Sequence, residues 1–359
     1  MKILNFSLDQ SLLNRESVAS RRISNLGGLV ERYLILVPAR FNSKLDLTPQ
    51  VAVTGVGGKN KPLSAFRLLI KATEILNNTH FDLITVQDVY FLALIAWYLA
   101  KKFKLPLEIQ VHGFERFSGW RKILARFLLP KATGVRVVSQ RLKKQLIADF
   151  KIEPAKITVI PITNEFKCDP TPALIPRDES AFIFLTVARL VKVKNIAGEL
   201  RALAKLRQAY PQAHLWLVGD GPERQRLEHL SAQLNLGEAV KFWGQRKDLS
   251  SFYRSADAFV LFSDSEGWGL SVIEAGTCVL PVVMSDVGCA GEVVKDDSSG
   301  LVVPVGDESA LVKAMKRLLD DGELRQTLVK GLTQELVNLP SQAETFEAYR
   351  TAWTKLIRK

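Results

Sequence analysis

Two glutamates, Glu266 and Glu274, stand eight residues apart in the most informative stretch of this sequence. A strand-like apolar run precedes Glu266, and Gly267 and Gly269 follow it. A carboxylate accepts hydrogen bonds from neighbouring hydroxyls, as on a ribose or a sugar ring. The pattern predicts a strand, a glycine turn and a helix beginning near Leu270, whose backbone N–H groups would favour an anion. Taken alone, the window also fits a surface loop and an ordinary helix with solvated glutamates.

Basic residues follow another predicted strand, Ala181–Val187. Arg189 stands at its end, and Lys194 comes just before the next helical pattern. A guanidinium fork and an ammonium point charge together suit a diphosphate. The loop alone fits a solvated basic surface equally well, and Lys192 is the residue that we expect in solvent.

Glycines and one histidine mark further strand ends. Gly219 begins a G-D-G-P loop, where it makes a tight turn or lets a backbone approach a ligand. Gly244 and Arg246 follow a third strand, where a nucleobase could rest on the backbone. His112 directly follows the predicted strand Leu107–Val111, a position that favours a ligand cleft although a lone histidine is a weak signal.

The composition indicates an ordinary globular protein. The chain has 359 residues, enough for two domains, with 47% apolar and 24% charged residues. Three cysteines, Cys168, Cys278 and Cys289, are too few and too scattered for a disulfide framework, so we expect a reducing cytosol. The net charge is +13 up to Glu165 and −1 after it, which leaves anionic lipid, nucleic acid or an acidic substrate as partners.

Strand and helix patterns alternate along the whole chain, which predicts an α/β fold with parallel sheets. Residues 161–178 are proline-rich and lack periodicity, so they separate two such domains. The predicted divisions are residues 1–165, residues 166–340, and a C-terminal helix at 341–359 that returns to the first domain. Ligands bind beyond the carboxyl ends of parallel strands, which is why the strand-end residues matter.

An ordered set of motifs resembles the group 1 glycosyltransferases, which form family 4 and have the GT-B fold. The matching segments are V-H-G at 111–113, V-V-S-Q-R-L-K-K-Q-L at 137–146, V-I-P at 159–161, V-A-R-L-V-K-V-K-N at 187–195, L-V-G-D-G-P at 217–222, W-G at 243–244, S-A-D-A-F-V-L at 255–261, S-E-G-W-G-L-S-V-I-E-A at 265–275, P-V-V at 281–283, D-V-G at 286–288, E-V-V at 292–294 and G-L-V-V-P-V-G-D at 300–307.

The resemblance implies two Rossmann-like domains facing across a cleft, the first for the acceptor and the second for a nucleotide-sugar. It implies transfer of the sugar with retained anomeric configuration and without a metal or other cofactor, from a UDP- or GDP-sugar. By the family pattern, Arg189 and Lys194 hold the diphosphate, Glu274 binds the ribose and Glu266 binds the sugar hydroxyls. The backbone from Gly267 through Gly269 to Leu270 contacts the sugar and phosphate, and His112 contacts the sugar near its reacting carbon. Gly219, Gly244 and Arg246 line the nucleotide.

Three positions depart from the family pattern. The loop after the first strand, residues 9–20, lacks the usual glycine pair. Val279 stands where the family usually has a glycine, and a bulkier side chain there could shift the end of the helix that carries Glu274. Ile162-Thr163-Asn164 follows V-I-P in place of the common N-G-V, which could alter the donor pocket.

A basic, amphipathic helix is predicted at Trp120–Leu129. Five apolar residues share one face, and three cations lie off it: Trp120, Ile123, Leu124, Phe127 and Leu128, with Arg121, Lys122 and Arg126. Such a helix can lie in an anionic membrane interface, or its apolar face can pack on the domain core. Nucleic-acid binding is disfavoured because no recognition motif accompanies the charge.

The family resemblance thus implies a retaining hexosyltransferase-type enzyme that builds a cell-surface polysaccharide or glycolipid on a glycan or lipid-linked acceptor. We expect it in the cytoplasm, with peripheral contact at the inner face of the cell membrane. A non-catalytic nucleotide-sugar-binding protein and a sugar-nucleotide epimerase on the same fold are the alternatives.

Overall fold

The computed structural model describes residues 1–113, 117–163, 165–171 and 174–358. The chain forms two compact units. Unit 1 comprises Met1–Pro161 together with Pro340–Lys359, and unit 2 comprises Ile162–Leu339. Within the part of the chain that the structure describes, no helix has both the length and the apolar content needed to cross a bilayer.

Unit 1 is built on a sheet whose strands lie in the order β3-β4-β2-β1-β5-β6-β7-β8. The strands are β1 (Lys2–Phe6), β2 (Arg32–Ala39), β3 (Ser43–Asp46), β4 (Val51–Gly57), β5 (Leu83–Val86), β6 (Leu107–Val111), β7 (Gly134–Val137) and β8 (Ile157–Val159). The helices are α1 (Val18–Leu26), α2 (Lys61–Asn78), α3 (Phe91–Phe103), α4 (Gly119–Leu128), α5 (Gln140–Phe150) and, from the C-terminus, α12 (Gln342–Ile357).

The C-terminal helix α12 completes the core of unit 1. Trp353 is fully buried and packs in one cluster with Tyr33 and other residues of β1 and β2. Its indole Nε1 donates to Oε2 of the buried Glu108 at 3.3 Å, and the Gln110 amide donates to the same oxygen at 2.8 Å. A buried carboxylate needs such donors, so this network fixes α12 against β6.

Unit 2 is built on a parallel sheet with the strand order β11-β10-β9-β12-β13-β14. The strands are β9 (Phe182–Val187), β10 (Ala213–Val218), β11 (Val240–Gly244), β12 (Ala258–Leu261), β13 (Val282–Ser285) and β14 (Leu301–Val303). The helices are α6 (Ile196–Leu206), α7 (Arg224–Gln233), α8 (Ser250–Ser255), α9 (Leu270–Thr277), α10 (Glu308–Asp320) and α11 (Gly322–Val337).

The predicted α/β class with two parallel-sheet domains is confirmed, with local differences in unit 1. Strand β3 pairs antiparallel with β4 and was not predicted. The segment 9–20, expected to be a loop, contains a short 3-10 helix at Gln10–Leu13 and the first turn of α1. Ser17 begins α1 because its hydroxyl accepts from the Ser20 amide at 3.0 Å, which caps the helix.

The expectation of unpaired cysteines was wrong for two of the three. Cys168 and Cys278 form a disulfide with a Cα–Cα distance of 5.3 Å, although 110 residues separate them. Both belong to unit 2, where the fold brings the segment before β9 to the end of α9. Cys289 is buried and lies outside this bridge.

Candidate functional site

The candidate site lies at the carboxyl ends of adjacent strands in unit 2. The chain runs from β9 outward through β10 to β11, and then returns to place β12 on the other side of β9. The loops after β9 and β12 therefore leave the sheet in opposite directions and open a crevice at its edge. A backbone bond from the Asp264 amide to the Val193 carbonyl, at 2.8 Å, joins these two loops.

Lys194 and Glu266 meet at this switch point. The Lys194 ammonium donates to Glu266 Oε1, and the Ser263 hydroxyl donates to the same oxygen at 2.8 Å. The Lys194 side chain is 19% exposed and that of Glu266 only 3%. An ammonium has three donors, so Lys194 can hold the carboxylate and still offer N–H groups to a bound anion.

The turn after Glu266 leads into α9 as the sequence predicts. Gly269 precedes the helix with φ 90° and ψ 56°, a conformation that glycine adopts without strain. No side chain in the described residues caps α9, although the Val272 amide donates to the Gly269 carbonyl at 3.0 Å. A helix start without a side-chain cap can bind an anion. Gly267 is buried, and Leu270 is the first helical residue.

Gly288, in the loop after β13, packs against this turn. A Cβ added there would lie 2.7 Å from the Trp268 carbonyl oxygen and 3.0 Å from Glu266 Cβ. The next amide, of Cys289, donates to the Trp268 carbonyl at 2.9 Å. The missing side chain thus allows the loop after β13 to pack directly against the backbone of the glutamate turn.

Arg189 is exposed at the end of β9, in a loop that glycines hold in place. A Cβ on Gly219 would lie 1.9 Å from the Ala188 carbonyl oxygen, and one on Gly221 would lie 2.3 Å from that of Leu190. The Leu190 amide donates to the Asp220 carbonyl at 3.0 Å. The G-D-G loop therefore makes a close backbone contact with the arginine loop, beyond the simple turn that its sequence favours.

Gly244 is the last residue of β11 and Arg246 follows it, on the side of β10 away from β9. Gly244 has φ 68°, and its carbonyl accepts from the Gly219 amide at 2.8 Å. Arg246 is exposed, and its Nε donates to the Trp243 carbonyl at 2.9 Å. These contacts align the loop ends of β10 and β11 along one edge.

Glu274 lies in the second turn of α9, where Tyr253 holds it. The fully buried Tyr253 of α8 donates its hydroxyl to Glu274 Oε2 at 2.8 Å. Burial raises the pKa of Glu274, while the bond from Tyr253 lowers it. One carboxylate oxygen is fixed by the tyrosine, and the group keeps acceptor capacity for a pair of hydroxyls.

Glu199 of α6 lies in the core beneath the switch point. It accepts from the Thr186 hydroxyl at 2.8 Å and from the Phe262 amide at 3.2 Å. Burial raises the pKa of Glu199 to about 8, against smaller lowering effects of these two bonds and of the Lys194 charge. At neutral pH this glutamate is therefore protonated and acts as a structural support.

His112 belongs to unit 1, where it follows β6 as predicted. Burial, together with the smaller effects of the Arg136 and Arg22 charges, lowers its pKa to about 3. The imidazole is therefore neutral throughout the physiological range. Its predicted contact with the donor sugar stays a prediction.

The fold brings the predicted site residues of unit 2 to one edge of its sheet. Tyr253, Ser263 and Gly288 were not among them. Gly288 stands in the D-V-G motif, which was a usable signal. No local pattern pointed to Tyr253, because it touches Glu274 across 21 residues of sequence.

Two family models match the chain in sequence. The model for Glycosyl transferases group 1 covers residues 172–334, and the model for Glycosyltransferase Family 4 covers residues 33–162. The chain belongs to the group 1 glycosyltransferases of family 4. Solved structures of similar fold include the Anabaena protein HepE in complex with UDP and glucose, at 20% identity and a TM-score of 0.79 over 99% of this chain and 100% of that one.

The names of similar curated proteins assign them to several biosynthetic pathways. The lipopolysaccharide core biosynthesis glycosyltransferase LpsD of Rhizobium meliloti is 33% identical over 202 residues, which are 55% of this chain and 58% of LpsD. The alpha-monoglucosyldiacylglycerol synthase of Acholeplasma laidlawii is 22% identical over 93% of this chain and 91% of its own length. The chain thus spans little more than half of LpsD.

The amphipathic helix of this glycosyltransferase divides its apolar residues between core and solvent. Leu128 is fully buried, whereas the side chains of Trp120, Ile123 and Phe127, which we call the α4 face, are 61%, 72% and 43% exposed. Part of the predicted apolar face therefore packs on the core of unit 1 and part of it lies in solvent. Cations stack on the exposed rings: Arg121 lies 5.7 Å from the Trp120 centroid, and Lys131 lies 4.5 Å from that of Phe127.

Proposed function

We propose that this protein is a retaining glycosyltransferase that moves a sugar from a UDP- or GDP-sugar to a glycan or lipid-linked acceptor. The product is a cell-surface polysaccharide or glycolipid. The observation that carries the proposal is the Lys194–Glu266 pair beside the uncapped start of α9, at the switch point of the sheet. This arrangement joins a cation, a hydroxyl-binding carboxylate and anion-binding amides.

Each strand-end group has a part in the transfer. The diphosphate binds Arg189, Lys194 and the first amides of α9, the ribose binds Glu274, and the sugar hydroxyls bind Glu266. As the bond from the anomeric carbon to the phosphate oxygen breaks, negative charge grows on the diphosphate. The two cations and the helix start stabilise that charge, the electrostatic contribution that is usually largest in catalysis.

Retention follows from a reaction on a single face of the sugar. The acceptor hydroxyl forms the new bond to the anomeric carbon on the face that the diphosphate leaves, and its proton passes to the departing phosphate oxygen. We assign acceptor binding to unit 1 and the donor to unit 2. We propose that no metal takes part, because cationic side chains meet the diphosphate charge.

A donor screen tests the proposal. Binding of UDP, GDP and their sugars is measured by calorimetry, and transfer to lipid extracts is followed by mass spectrometry with the product anomer assigned by NMR. We expect one sugar to be transferred with retained configuration at an unchanged rate in EDTA. An inverted product would contradict retention, and binding without transfer or hydrolysis would favour the non-catalytic alternative.

Glu274→Ala tests the ribose contact within this site. Loss of two hydrogen bonds to a charged group should weaken nucleotide binding by about tenfold or more. Gln342→Ala, a substitution on α12 of unit 1, serves as the control for handling and folding. Unchanged nucleotide affinity in Glu274→Ala would refute this role of the glutamate.

We further propose that the α4 face rests on an anionic membrane. Aromatic and aliphatic side chains in solvent, with Arg121, Lys122, Arg126 and Lys131 around them, suit the interface of a charged bilayer. The ring of Phe127 also packs on Trp97 of α3 at 5.2 Å, which holds the exposed ring in place. The glycolipid synthase among the relatives supports a lipid-linked acceptor.

Vesicle binding tests this surface. The triple variant Arg121→Gln, Lys122→Gln, Arg126→Gln should sediment less with phosphatidylglycerol vesicles than the parent protein. The matched control removes three exposed lysines elsewhere: Lys144→Gln, Lys313→Gln and Lys330→Gln. Equal losses in the two variants would assign the binding to net charge and contradict a specific role of α4.

A further inference from the structure

The segment before β9 is covalently bound to the end of the donor helix α9. Cys168 lies in this segment, and Cys278 is the residue at which α9 ends. Cys278 stands four residues after Glu274 and is only 4% exposed, while Cys168 is partly exposed. The bridge therefore holds the last turn of the helix that presents the ribose-binding carboxylate.

A second contact joins the same segment to Glu274. The Phe166 ring packs edge-on against Tyr253 with 5.6 Å between the centroids, and the Tyr253 hydroxyl donates to the Glu274 carboxylate. The disulfide lies two residues from Phe166. Fixing Cys168 thus also fixes the Phe166 ring that packs on Tyr253. Both partners of the hydrogen bond between Tyr253 and Glu274 are therefore supported by one short segment.

The chain just beyond Cys168 has its own attachments to α8. The Asp169 amide donates to Ser250 Oγ at 3.1 Å, and the Ile175 amide donates to Ser255 Oγ at 2.8 Å. Arg177 forms an ion pair with Asp257 at 2.6 Å. Breaking the disulfide would therefore release the connection to α9 while the downstream segment stays bound to its neighbours.

The residue after Cys278 closes this helix end in a conformation that a β-branched residue rarely adopts. Val279 has φ 64° and is 56% exposed, so a β-branched residue occupies the left-handed conformation without a buried side chain to compensate. Such conformations persist where the surroundings impose them, and they are found at functional sites. Here the amides of Val279 and Leu280 donate to the carbonyls of Gly276 and Ala275 at 3.0 Å and 3.1 Å, which closes the helix end in this conformation next to the disulfide.

We propose that the Cys168–Cys278 disulfide is a redox-operated clamp that positions Glu274 for nucleotide binding. The inference rests on the proposed function, because it takes Glu274 as the ribose contact. With the clamp closed, the last turn of α9 and Tyr253 hold the carboxylate in place. With the clamp open, the turn loosens and nucleotide binds more weakly.

The clamp opens by thiol–disulfide exchange with a dithiol reductant. A thiolate of the reductant attacks Sγ of Cys168, the more exposed of the two cysteines, and Cys278 leaves as a thiolate. The second reductant thiol then attacks the mixed disulfide. Two electrons and two protons reach Cys168 and Cys278, and the reductant becomes a cyclic disulfide.

Two measurements on the full chain, before and after dithiothreitol, test the clamp. Hydrogen exchange of the α9 amides is recorded without nucleotide, and the dissociation constant for UDP or GDP is measured by calorimetry. Reduction should speed exchange near Glu274 and weaken nucleotide binding about tenfold, within the range of coupled sites. Intact mass should rise by about 2 Da on reduction, as two hydrogens are added.

Cys168→Ser provides the internal control. This variant should match the reduced parent in exchange and affinity, and dithiothreitol should change it no further. The clamp is overturned if the air-oxidised parent carries both cysteines as thiols, or if reduction leaves nucleotide affinity unchanged. If neither form binds any nucleotide while exchange in α9 still responds to reduction, the proposed function is wrong, but the link between the disulfide and the last turn of α9 stands.

Discussion

The two ends of the donor helix α9 are built in opposite ways. At its N-terminal end, Gly269 takes a left-handed conformation freely, and Gly288 lets the next loop pack on the backbone of the glutamate turn. At its C-terminal end, Val279 takes a left-handed conformation that suits a glycine, beside a disulfide. Close approach at one end relies on absent side chains, whereas the other end combines a strained valine with a covalent bond to a distant segment.

This contrast distinguishes the groups that bind the ligand from the contacts that only keep those groups in position. The N-terminal end offers backbone amides and the Lys194–Glu266 pair to a ligand, so its geometry has little freedom to vary. The C-terminal end touches no ligand in the proposed site, and it can be fixed by any device that keeps Glu274 in position. Substitutions at the first end should therefore impair catalysis, and those at the second should mainly alter stability and affinity.

The largest effect is expected from Lys194→Ala at the N-terminal end. Removing a preorganised cation from the developing diphosphate charge should lower kcat/KM by about 10²- to 10³-fold. The buried Glu266 also loses its ion-pair partner, which should cost about 3 kcal/mol of unfolding free energy. Steady-state kinetics and urea unfolding measure the two quantities.

Lys192→Ala is the matched control for Lys194→Ala. The two lysines share one loop, but Lys192 is exposed. A loss of kcat/KM in Lys192→Ala comparable to that in Lys194→Ala would contradict the specific role of the Lys194–Glu266 pair.

Gly288→Ala should produce the next largest change. The new Cβ would meet the Trp268 carbonyl at 2.7 Å and the Glu266 side chain at 3.0 Å, at a φ of 57°. We expect a loss of about 2 to 3 kcal/mol in unfolding free energy together with weaker donor binding. Gly306→Ala is the control, since φ is 75° there but nothing lies within 4 Å of the added Cβ. Equal losses at both sites would mean that close packing under the turn is unimportant.

Glu199→Gln should change how stability depends on pH. The folded pKa of Glu199 is raised by burial to about 8 from an ordinary value of 4.5, so between these pH values the folded state holds a proton that the unfolded state releases. Stability is therefore highest below the unfolded pKa and falls as pH rises through the folded pKa. We expect the unfolding free energy of the parent to fall by about 3 to 4 kcal/mol between pH 5 and pH 8 from this group.

The amide of Glu199→Gln cannot ionise, and its oxygen can still accept from the Phe262 amide. Urea unfolding across pH 5 to pH 9 should therefore show a smaller decline in the variant than in the parent. Parallel curves would mean that Glu199 does not titrate in this range. Activity at neutral pH should change little, because the group is already protonated there.

The sequence predicts the N-terminal end of α9 better than the C-terminal end for a physical reason. An apolar strand, glycines and a helical pattern are local signals, and the helix begins at Leu270 as expected. The contacts at the other end join residues that are far apart in sequence. Tyr253 reaches Glu274 across 21 residues and Cys168 reaches Cys278 across 110, and no window of sequence contains both partners.

The remaining differences have similar origins. Ser17 was a local cap signal for α1, but the polar residues around it favoured a loop. Strand β3 is a short edge strand with mostly exposed residues, so it carries no apolar pattern to be recognised. The bulk of Val279 was expected to be able to shift the end of the helix that carries Glu274, whereas its side chain is mostly exposed and does not press on that helix. Asn164, in the Ile162-Thr163-Asn164 segment that departs from the family pattern, lies outside the described residues.

The smallest effect is expected from Val279→Gly at the C-terminal end. A left-handed conformation costs a non-glycine residue roughly 1 to 2 kcal/mol, while the greater freedom of glycine in the unfolded chain costs about 0.5 to 1 kcal/mol. Because the exposed valine loses little buried surface, the substitution should raise the unfolding free energy by about 0.5 to 1 kcal/mol. Urea unfolding of the oxidised protein measures this change, with Val337→Gly on the exposed surface of α11 expected to lower stability instead. A destabilised Val279→Gly would show that the valine side chain itself stabilises this end of the helix, and the contrast between a glycine-built end and a disulfide-held end would then be incomplete.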